Sequence, residues 1–238
     1  MTPGTSGTHG QADDRLPVVF VDLDGTVLRS RAGRFAMLQA VADVAGRASD
    51  DADRMTFTGR TDAWIAGELL RRAGHAGDRK AVERVHLRYL ALLAEGLPDR
   101  GCVAIPGALA LAEALQRAAA RGRCLPPLLL TGNLREGARL KLEAAGLLAS
   151  LPVEGGFGDL HEDRADVARM AMALAPDARP VVIGDAPADV YAARAIGAKA
   201  VLVATGPVPA EVLATHHPDA LLTSLEDLDA ALSALLDP

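Results

Sequence analysis

Four short apolar runs constrain the fold most strongly, because each ends at a polar residue or a glycine. They cover residues 18–21, 128–130, 181–183 and 200–204. Uninterrupted apolar runs of this length are typical of parallel strands that are buried on both faces. Amphipathic stretches of helical length follow or separate them, at residues 107–121, 135–146, 162–175 and 187–196. This alternation predicts an α/β fold with a doubly wound parallel sheet.

One long interval breaks the alternation. From about Arg29 to Arg100 no strand-like run occurs, and helical patterns separated by glycine-containing turns replace it. We therefore expect a smaller, all-helical cap inserted after the first strand. The predicted organisation is a disordered leader at residues 1–16, a Rossmann-like core at 17–29 and 101–238, and a cap segment at residues 30–100.

Composition excludes several classes of function. The chain has 238 residues and a net charge of −6, which argues against a nucleic-acid partner or an anionic membrane surface. No stretch approaches the roughly 18 apolar residues that a membrane-spanning helix needs. The N-terminal residues lack the apolar stretch of a secretory signal. We therefore expect a cytoplasmic protein.

Polar side chains follow three of the predicted strands directly. Asp22 and Asp24 close the first run, Thr131 closes the second, and Asp185 closes the third, with Asp189 one helical turn later. The carboxyl ends of parallel strands meet at one edge of the sheet, where ligands bind. Several carboxylates at one edge repel each other unless a cation neutralises them, and oxygen ligands suit magnesium.

This set of residues is suited to phosphoryl transfer. One carboxylate can attack phosphorus and form an aspartyl phosphate, while a second moves the proton. The phosphoryl oxygens then need positive charge and hydrogen-bond donors. Magnesium, the Thr131 hydroxyl, Lys141 on the following helix and backbone N–H groups after Asp22 can supply them. Gly25 allows the sharp turn that such N–H groups require.

Four motifs in order resemble the signatures of the haloacid dehalogenase superfamily, in its phosphoglycolate-phosphatase-like branch with a helical cap in the first insertion position. The segment Asp22-Leu23-Asp24-Gly25-Thr26 resembles the first signature. The second, third and fourth are matched by Thr131-Gly132-Asn133, Lys141 and Gly184-Asp185-Ala186-Pro187-Ala188-Asp189. The resemblance extends from residue 18 to about residue 230.

The resemblance implies roles for the carboxylates. Asp22 would be the nucleophile and a magnesium ligand. Asp24 would be the general acid and base, and would ligate the metal through its backbone carbonyl. Asp185 would bind magnesium, and Asp189 would support that site.

The resemblance also implies that Thr131 and Lys141 hold the phosphate. Lys141 lies ten residues beyond Thr131, which is farther than is usual for the family. Arg135 and Arg139 are therefore alternatives for the same charge.

Further substrate contacts are predicted on two loops. Gly132 and Asn133 belong to the second motif. The segment that contains Arg60 and Thr61 resembles one seen in helical caps of this family, so Arg60 could bind an anionic part of the substrate. Alternatively, Thr61 or Asp62 caps the helix that follows.

The function expected is that of a magnesium-dependent phosphatase that acts on a small phosphorylated metabolite. A phosphomutase of the same superfamily is the main alternative. The dehalogenase branch is disfavoured because it lacks the second aspartate, which is present here as Asp24. A non-enzymatic phospho-acceptor module is also disfavoured, because the adjacent acidic pair that such modules carry after the first strand is missing.

Overall fold

The computed structural model describes residues 14–159 and 161–238, and its main feature is a six-stranded parallel sheet. In chain order the strands are β1 (Pro17–Val21), β2 (Leu28–Ser30), β3 (Cys102–Ala104), β4 (Leu128–Leu130), β5 (Gly155–Gly156), β6 (Arg179–Gly184), β7 (Lys199–Val203) and β8 (Ala220–Leu222). The strand order in the sheet is β5-β4-β1-β6-β7-β8, and a separate two-stranded ribbon pairs β2 with β3.

Helices cover both faces of this sheet. They are α1 (Ala32–Ala45), α2 (Asp62–Arg72), α3 (Arg79–Arg100), α4 (Ala108–Ala120), α5 (Arg135–Ala144), α6 (Arg164–Met172), α7 (Pro187–Ala195), α8 (Ala210–Ala214) and α9 (Leu228–Leu236). Alternate side chains of β1 enter two different apolar clusters, with Val19 in one and Phe20 in the other. The predicted α/β class and doubly wound parallel sheet are therefore confirmed.

The centre of the sheet aligns the strand ends that carry polar residues. Strand β1 lies between β4 and β6, and Val21 pairs with Leu129 on one side and Ile183 on the other. Strand β4 begins only after Pro127, because proline has no N–H to donate to a ladder. The residues that follow these strands are thereby brought to one edge of the sheet.

The antiparallel ribbon was not predicted from the sequence. Strands β2 and β3 have three residues each, and Ser30 pairs with Cys102. Only the first residue of each strand is buried, so neither contains an apolar run that could indicate a strand. The ribbon joins the two ends of the interval that contains helices α1, α2 and α3, which is the helical interval expected from the sequence.

The division into core and cap stays a prediction. A single apolar cluster contains Met37 and Leu69 of the cap segment together with Leu111 and Leu142 of the predicted core. Residues 1–13 of the predicted leader lie outside the described residues. Leu16, in contrast, is already part of the fold, because its carbonyl accepts from Arg179 N at 2.9 Å. No helix in the described ranges is long and apolar enough to cross a membrane.

Gly107, at the start of α4, packs closely against the C-terminal part of the chain. Its φ is 84°, and a Cβ there would collide with the backbone of Leu225. Gly122 also has a positive φ, of 69°, but a Cβ there would meet nothing within 4 Å. A substitution at Gly122 therefore introduces backbone strain alone, whereas one at Gly107 adds steric overlap.

We expect Gly122→Ala to lower the free energy of unfolding by about 1 kcal/mol, the cost of the left-handed conformation. Gly107→Ala should lower it by roughly 1–3 kcal/mol more, because the backbone of Leu225 must move. Urea denaturation of both variants measures the difference. Equal losses would show that the contact with Leu225 is not tight.

Candidate active site

Three carboxylates cluster at the carboxyl edge of the sheet. Asp22 follows β1 and Asp185 follows β6, while Asp189 lies in the first turn of α7. One oxygen from each lies within 4.8 Å of the other two, and all three residues are buried. Water therefore screens their mutual repulsion poorly, and the cluster needs positive charge nearby.

Arg164 supplies part of that charge. Its Nη2 donates to Asp22 Oδ1 at 3.1 Å, to Leu130 O at 3.4 Å and, over a short distance, to Asp189 Oδ1. Arg164 is itself buried, in the first turn of α6. Arg164 therefore links Asp22, the candidate nucleophile, to Asp189 in α7.

Arg164 is the residue that sequence reasoning missed. The helix at 162–175 was predicted, but no role was given to this charge. A signal was present, because a cation in the first turn of a helix opposes the helix dipole and needs a local reason. The reason here is the pair of carboxylates that it contacts.

Burial and neighbouring negative charges raise the pKa of both strand-end aspartates, Asp22 and Asp185. The pKa of Asp22 is raised to about 7, mainly by burial. The Arg164 charge opposes this rise, and the charges of Asp189 and Asp24 add to it. Burial also raises the pKa of Asp185 to about 8, with Asp22 and Asp189 adding to the shift. Both carboxyls thus hold a proton more tightly than an exposed aspartate does.

Two glycines enclose the Asp185 carboxylate. A Cβ at Gly25 or at Gly206 would collide with its Oδ2 atom. That oxygen is buried and has no hydrogen-bond partner among the described residues. Within the described ranges, Oδ1 has one long contact, in which it accepts from Thr26 Oγ1 at 3.4 Å. Asp185 therefore presents an uncompensated oxygen to the candidate site.

Lys141 lies at the site but contacts Asp24. Its Nζ donates to Asp24 Oδ2 at 2.7 Å and to Asn133 Oδ1 at 2.5 Å, and the residue is buried. Burial lowers the pKa of this amine, but the charges of Asp24, Tyr89 and Asp62 and the hydrogen bond to Asp24 together outweigh it, so the pKa lies above its ordinary value. Asn133 Nδ2 donates to the same Asp24 oxygen at 2.7 Å. Two donors thus fix the Asp24 carboxylate.

The alternatives to Lys141 point away from the site. Arg139 is half-buried and pairs with Glu136 and Glu143 of its own helix. Arg135 is exposed and donates to Val153 O at 2.6 Å. Neither lines the cavity, so the prediction that one of them could replace Lys141 is corrected. The cation at Asp22 is Arg164 instead.

A cavity of about 480 Å³ connects these residues with the cap segment. Its lining includes the predicted residues Asp22, Asp24, Arg60, Thr131, Gly132, Asn133, Lys141 and Asp185, together with Arg164, Arg29, Arg34, Met37, Phe57, Ile65 and Tyr89. Asp189 lies behind the lining and accepts from Ala186 N at 3.0 Å. The structure therefore gathers most of the predicted site around one cavity.

Thr61 also lies outside the lining of the cavity. Its Oγ1 accepts from Trp64 N at 3.2 Å and donates to Glu162 O at 3.0 Å, and the residue is fully buried. It caps α2 and does not line the cavity, so its predicted role in substrate binding is corrected to that of a helix cap.

The neighbouring Asp62 joins the start of α2 to the loop after β4. Asp62 N donates to Gly132 O at 2.7 Å, and Asp62 Oδ2 accepts from Leu134 N at 2.9 Å. Burial raises the pKa of its carboxyl to about 6.

Comparison with known proteins decides the family. The sequence profile of haloacid dehalogenase-like hydrolases matches residues 19–194, and a HAD-hydrolase-like profile matches residues 162–228. The chain belongs to the haloacid dehalogenase-like hydrolase family. The resemblance inferred from the four motifs is thereby confirmed. No curated protein sequence matches this hydrolase.

Solved structures share the fold of this hydrolase. A predicted phosphoglycolate phosphatase from Haemophilus somnus is 18% identical, with a TM-score of 0.66 over 90% of this chain and 96% of that one. A putative β-phosphoglucomutase from Bacteroides vulgatus is 21% identical, with a TM-score of 0.64 over 97% and 94%. A HAD family hydrolase from Deinococcus radiodurans, with bound phosphate and sodium, is 26% identical, with a TM-score of 0.54 over 93% and 97%.

The raised pKa of Asp185 predicts how stability depends on pH without metal. Between about pH 4 and pH 8 the folded state keeps a proton that the unfolded state has released, so stability falls as the pH rises. Asp185→Asn removes this titration. We expect the variant to gain on the order of 1–2 kcal/mol over the parent at pH 8.5 and little at pH 4.5.

Chemical denaturation in chelator at both pH values measures this gain. Asp219→Asn is the control, because the pKa of that carboxyl is lowered and its charge is paired with Arg194. A gain for Asp185→Asn that is the same at both pH values would contradict the prediction.

The contact between Lys141 and Asp24 predicts an effect on turnover. Lys141→Met keeps the length of the side chain but removes one of the two donors to Asp24, so kcat for an aryl phosphate should fall roughly 10- to 100-fold. Arg139→Met, on the same helix but outside the lining of the cavity, should leave kcat unaltered. Thermal unfolding verifies that both variants fold. A folded Lys141→Met variant with the parental kcat would contradict the prediction.

Proposed function

We propose that this hydrolase is a magnesium-dependent phosphatase that cleaves a small phosphorylated metabolite through an aspartyl phosphate on Asp22. The observation that carries the proposal is the arrangement of Asp22 and Asp185 at adjacent strand ends, with Arg164 on one oxygen of Asp22. The guanidinium of Arg164 fixes the Asp22 carboxylate, which suits nucleophilic attack on a phosphoryl group. The uncompensated Asp185 carboxylate suits a metal ion that would bind the same phosphoryl group.

The donor set fits a hard divalent cation. Asp185 Oδ2 is buried without a hydrogen-bond partner in the described part of the chain, and Asp22 Oδ2 has only a 3.5 Å contact with Thr26 Oγ1. Both oxygens of Asp189 are occupied, by Arg164 and by Ala186 N, which suits a supporting role. Asp22, Asp185 and the backbone carbonyl of Asp24 would hold magnesium, which supplies positive charge at the phosphoryl oxygens.

Asp22 would act as the nucleophile. Arg164 holds its Oδ1 atom and so fixes the direction of the carboxylate. A carboxylate oxygen forms a bond to phosphorus while the bond from phosphorus to the leaving oxygen breaks. Thr131 lies at the end of the neighbouring strand, and its Oγ1 already accepts from Asn133 Nδ2 at 2.7 Å. The hydroxyl hydrogen of Thr131 is then directed to donate to a phosphoryl oxygen.

Asp24 would move the proton. In the first step it gives a proton to the leaving oxygen. In the second it takes a proton from the water that attacks the aspartyl phosphate, which regenerates Asp22 and releases inorganic phosphate. Lys141 and Asn133 hold one Asp24 oxygen between them, so we assign both to positioning this carboxyl. That assignment replaces the expectation that Lys141 contacts the phosphate.

A phosphomutase would use the same two aspartates but return the phosphoryl group to the sugar. The shared fold with a putative β-phosphoglucomutase is the observation that keeps this alternative open. The two reactions differ in their products, because only the phosphatase releases inorganic phosphate from a monophosphate without a bisphosphate activator.

Release of inorganic phosphate from an aryl phosphate tests the proposal. We expect activity to vanish in chelator and to return with magnesium. Asp22→Asn should lower kcat by a factor on the order of 10³ or more, because the amide is a poor nucleophile. Asp166→Asn, on α6 but outside the lining of the cavity, should retain the parental rate. Full activity in chelator, or in a folded Asp22→Asn variant, would overturn the proposal.

A further inference from the structure

One side chain of α3, the last helix of the cap segment, reaches the wall of the cavity. Tyr89 is buried, and it belongs to the large apolar cluster together with the other buried residues of this helix. Of those buried residues, which the structure describes in full, Tyr89 alone lines the cavity. A buried tyrosine normally finds a hydrogen-bond partner for its hydroxyl. The partner of this one therefore lies at the candidate site.

That partner is the ammonium group of Lys141. Burial raises the pKa of the Tyr89 hydroxyl, and a hydrogen bond with Lys141 opposes this rise. An ammonium group only donates, so Tyr89 Oη is the acceptor. Gly33 of α1 leaves the space in which the two groups converge. A Cβ on Gly33 would lie 3.3 Å from Lys141 Nζ and 3.8 Å from Tyr89 Oη.

Tyr89 completes the set of acceptors around this ammonium group. A lysine has three N–H donors. Lys141 Nζ donates to Asp24 Oδ2 at 2.7 Å and to Asn133 Oδ1 at 2.5 Å, which leaves one donor for Tyr89 Oη. Three acceptors from three separate segments fix the direction of each N–H bond. The donor that holds the Asp24 carboxyl is therefore oriented in part by the cap segment.

Close packing of α3 against α5 holds the Tyr89 ring beside Lys141. Gly137 lies on α5, about one turn before Lys141. A Cβ on Gly137 would lie 3.7 Å from Tyr89 Cε1 and 3.7 Å from side-chain atoms of Leu90 and Leu93, which is ordinary van der Waals contact. The backbone of α5 thus approaches the side chains of α3 closely at this point. The position of the hydroxyl is set by helix packing and not by a mobile loop.

We propose that Tyr89 is a positioning residue for proton transfer, because it holds the Lys141 ammonium group that in turn holds the Asp24 carboxyl. The inference rests on the proposed function for the role of Asp24. In the first step the proton passes from Asp24 to the leaving oxygen as the bond between that oxygen and phosphorus breaks. Tyr89 and Lys141 keep their hydrogens throughout. Their part is to direct the Asp24 carboxyl towards the leaving oxygen.

Two esters of similar size separate this role from a general loss of activity. A p-nitrophenolate leaves as a stable anion and gains little from a proton donor, whereas a benzyl alkoxide needs the proton as it leaves. Tyr89→Phe removes one hydroxyl and keeps the buried ring. We expect kcat/KM for benzyl phosphate to fall about tenfold, and kcat/KM for p-nitrophenyl phosphate to fall less than about threefold. Release of inorganic phosphate in excess magnesium measures both.

A double-mutant cycle with Lys141→Met tests whether the effect of Tyr89 passes through Lys141. In the Lys141→Met background, Tyr89→Phe should change kcat/KM for benzyl phosphate little, because the ammonium group that it positions is gone. Gly33→Ala approaches the same contact from α1. Its methyl group would lie 3.3 Å from Lys141 Nζ and displace it, so the loss should again be larger for benzyl phosphate. Thermal unfolding verifies that every variant folds.

Tyr191→Phe is the matched control, because Tyr191 is the second of the two tyrosines in the chain. It is exposed, its hydroxyl donates to Asp163 Oδ2 at 3.4 Å, and it lies outside the lining of the cavity of about 480 Å³. The same loss of a hydroxyl at this position should leave kcat/KM for both esters unchanged.

Three outcomes overturn the positioning role and leave the proposed function standing. One is a folded Tyr89→Phe variant with parental kcat/KM for benzyl phosphate. Another is an equal loss for both esters, which a merely structural role would give. The third is a full additional loss in the Lys141→Met background, which would mean that Tyr89 acts without Lys141. A parent protein that releases phosphate from neither ester would overturn the proposed function, and the positioning role with it.

Discussion

The carboxylates of Asp22, Asp185 and Asp189 lie within 4.8 Å of one another where water barely reaches. Buried like charges repel strongly, so such a cluster is stable only with protons, a paired cation or a bound metal. Arg164 forms ion pairs with Asp22 and Asp189. One positive charge does not balance three carboxylates, and the pKa values of Asp22 and Asp185 remain raised. This electrostatic cost falls at the edge of the sheet where we propose that a cation and a phosphoryl group bind.

The parallel sheet and its central strands were predictable because their signal is local. An apolar run closed by an aspartate or a threonine specifies both a buried strand and the polar residue at its end. Asp22, Thr131 and Asp185 therefore converge as the sequence indicated, since β4, β1 and β6 are neighbours in register. The ribbon of β2 and β3 was missed because its strands are short and half exposed, so they contain no apolar run.

The partners of the charged residues were harder to predict, because pairing depends on which helices meet. Lys141 was found by motif order, but its contact with Asp24 follows from the packing of α5 beside the ribbon, which the sequence did not indicate. Arg164 was missed for the same reason, since its partners lie 142 and 25 residues away along the chain. For Thr61 the prediction assigned a contact with substrate, whereas the hydroxyl already caps α2 by accepting from Trp64 N.

Gly132 links the two sides of the cavity through its lack of a side chain. It sits between Thr131 and Asn133, and a Cβ at this position would collide with the backbone carbonyl of Arg60. The loop that presents the Thr131 hydroxyl is thus in van der Waals contact with the turn that presents the Arg60 guanidinium. Substitutions that reshape one of these loops therefore displace the other, so the loop after β4 and the turn before α2 can change only together.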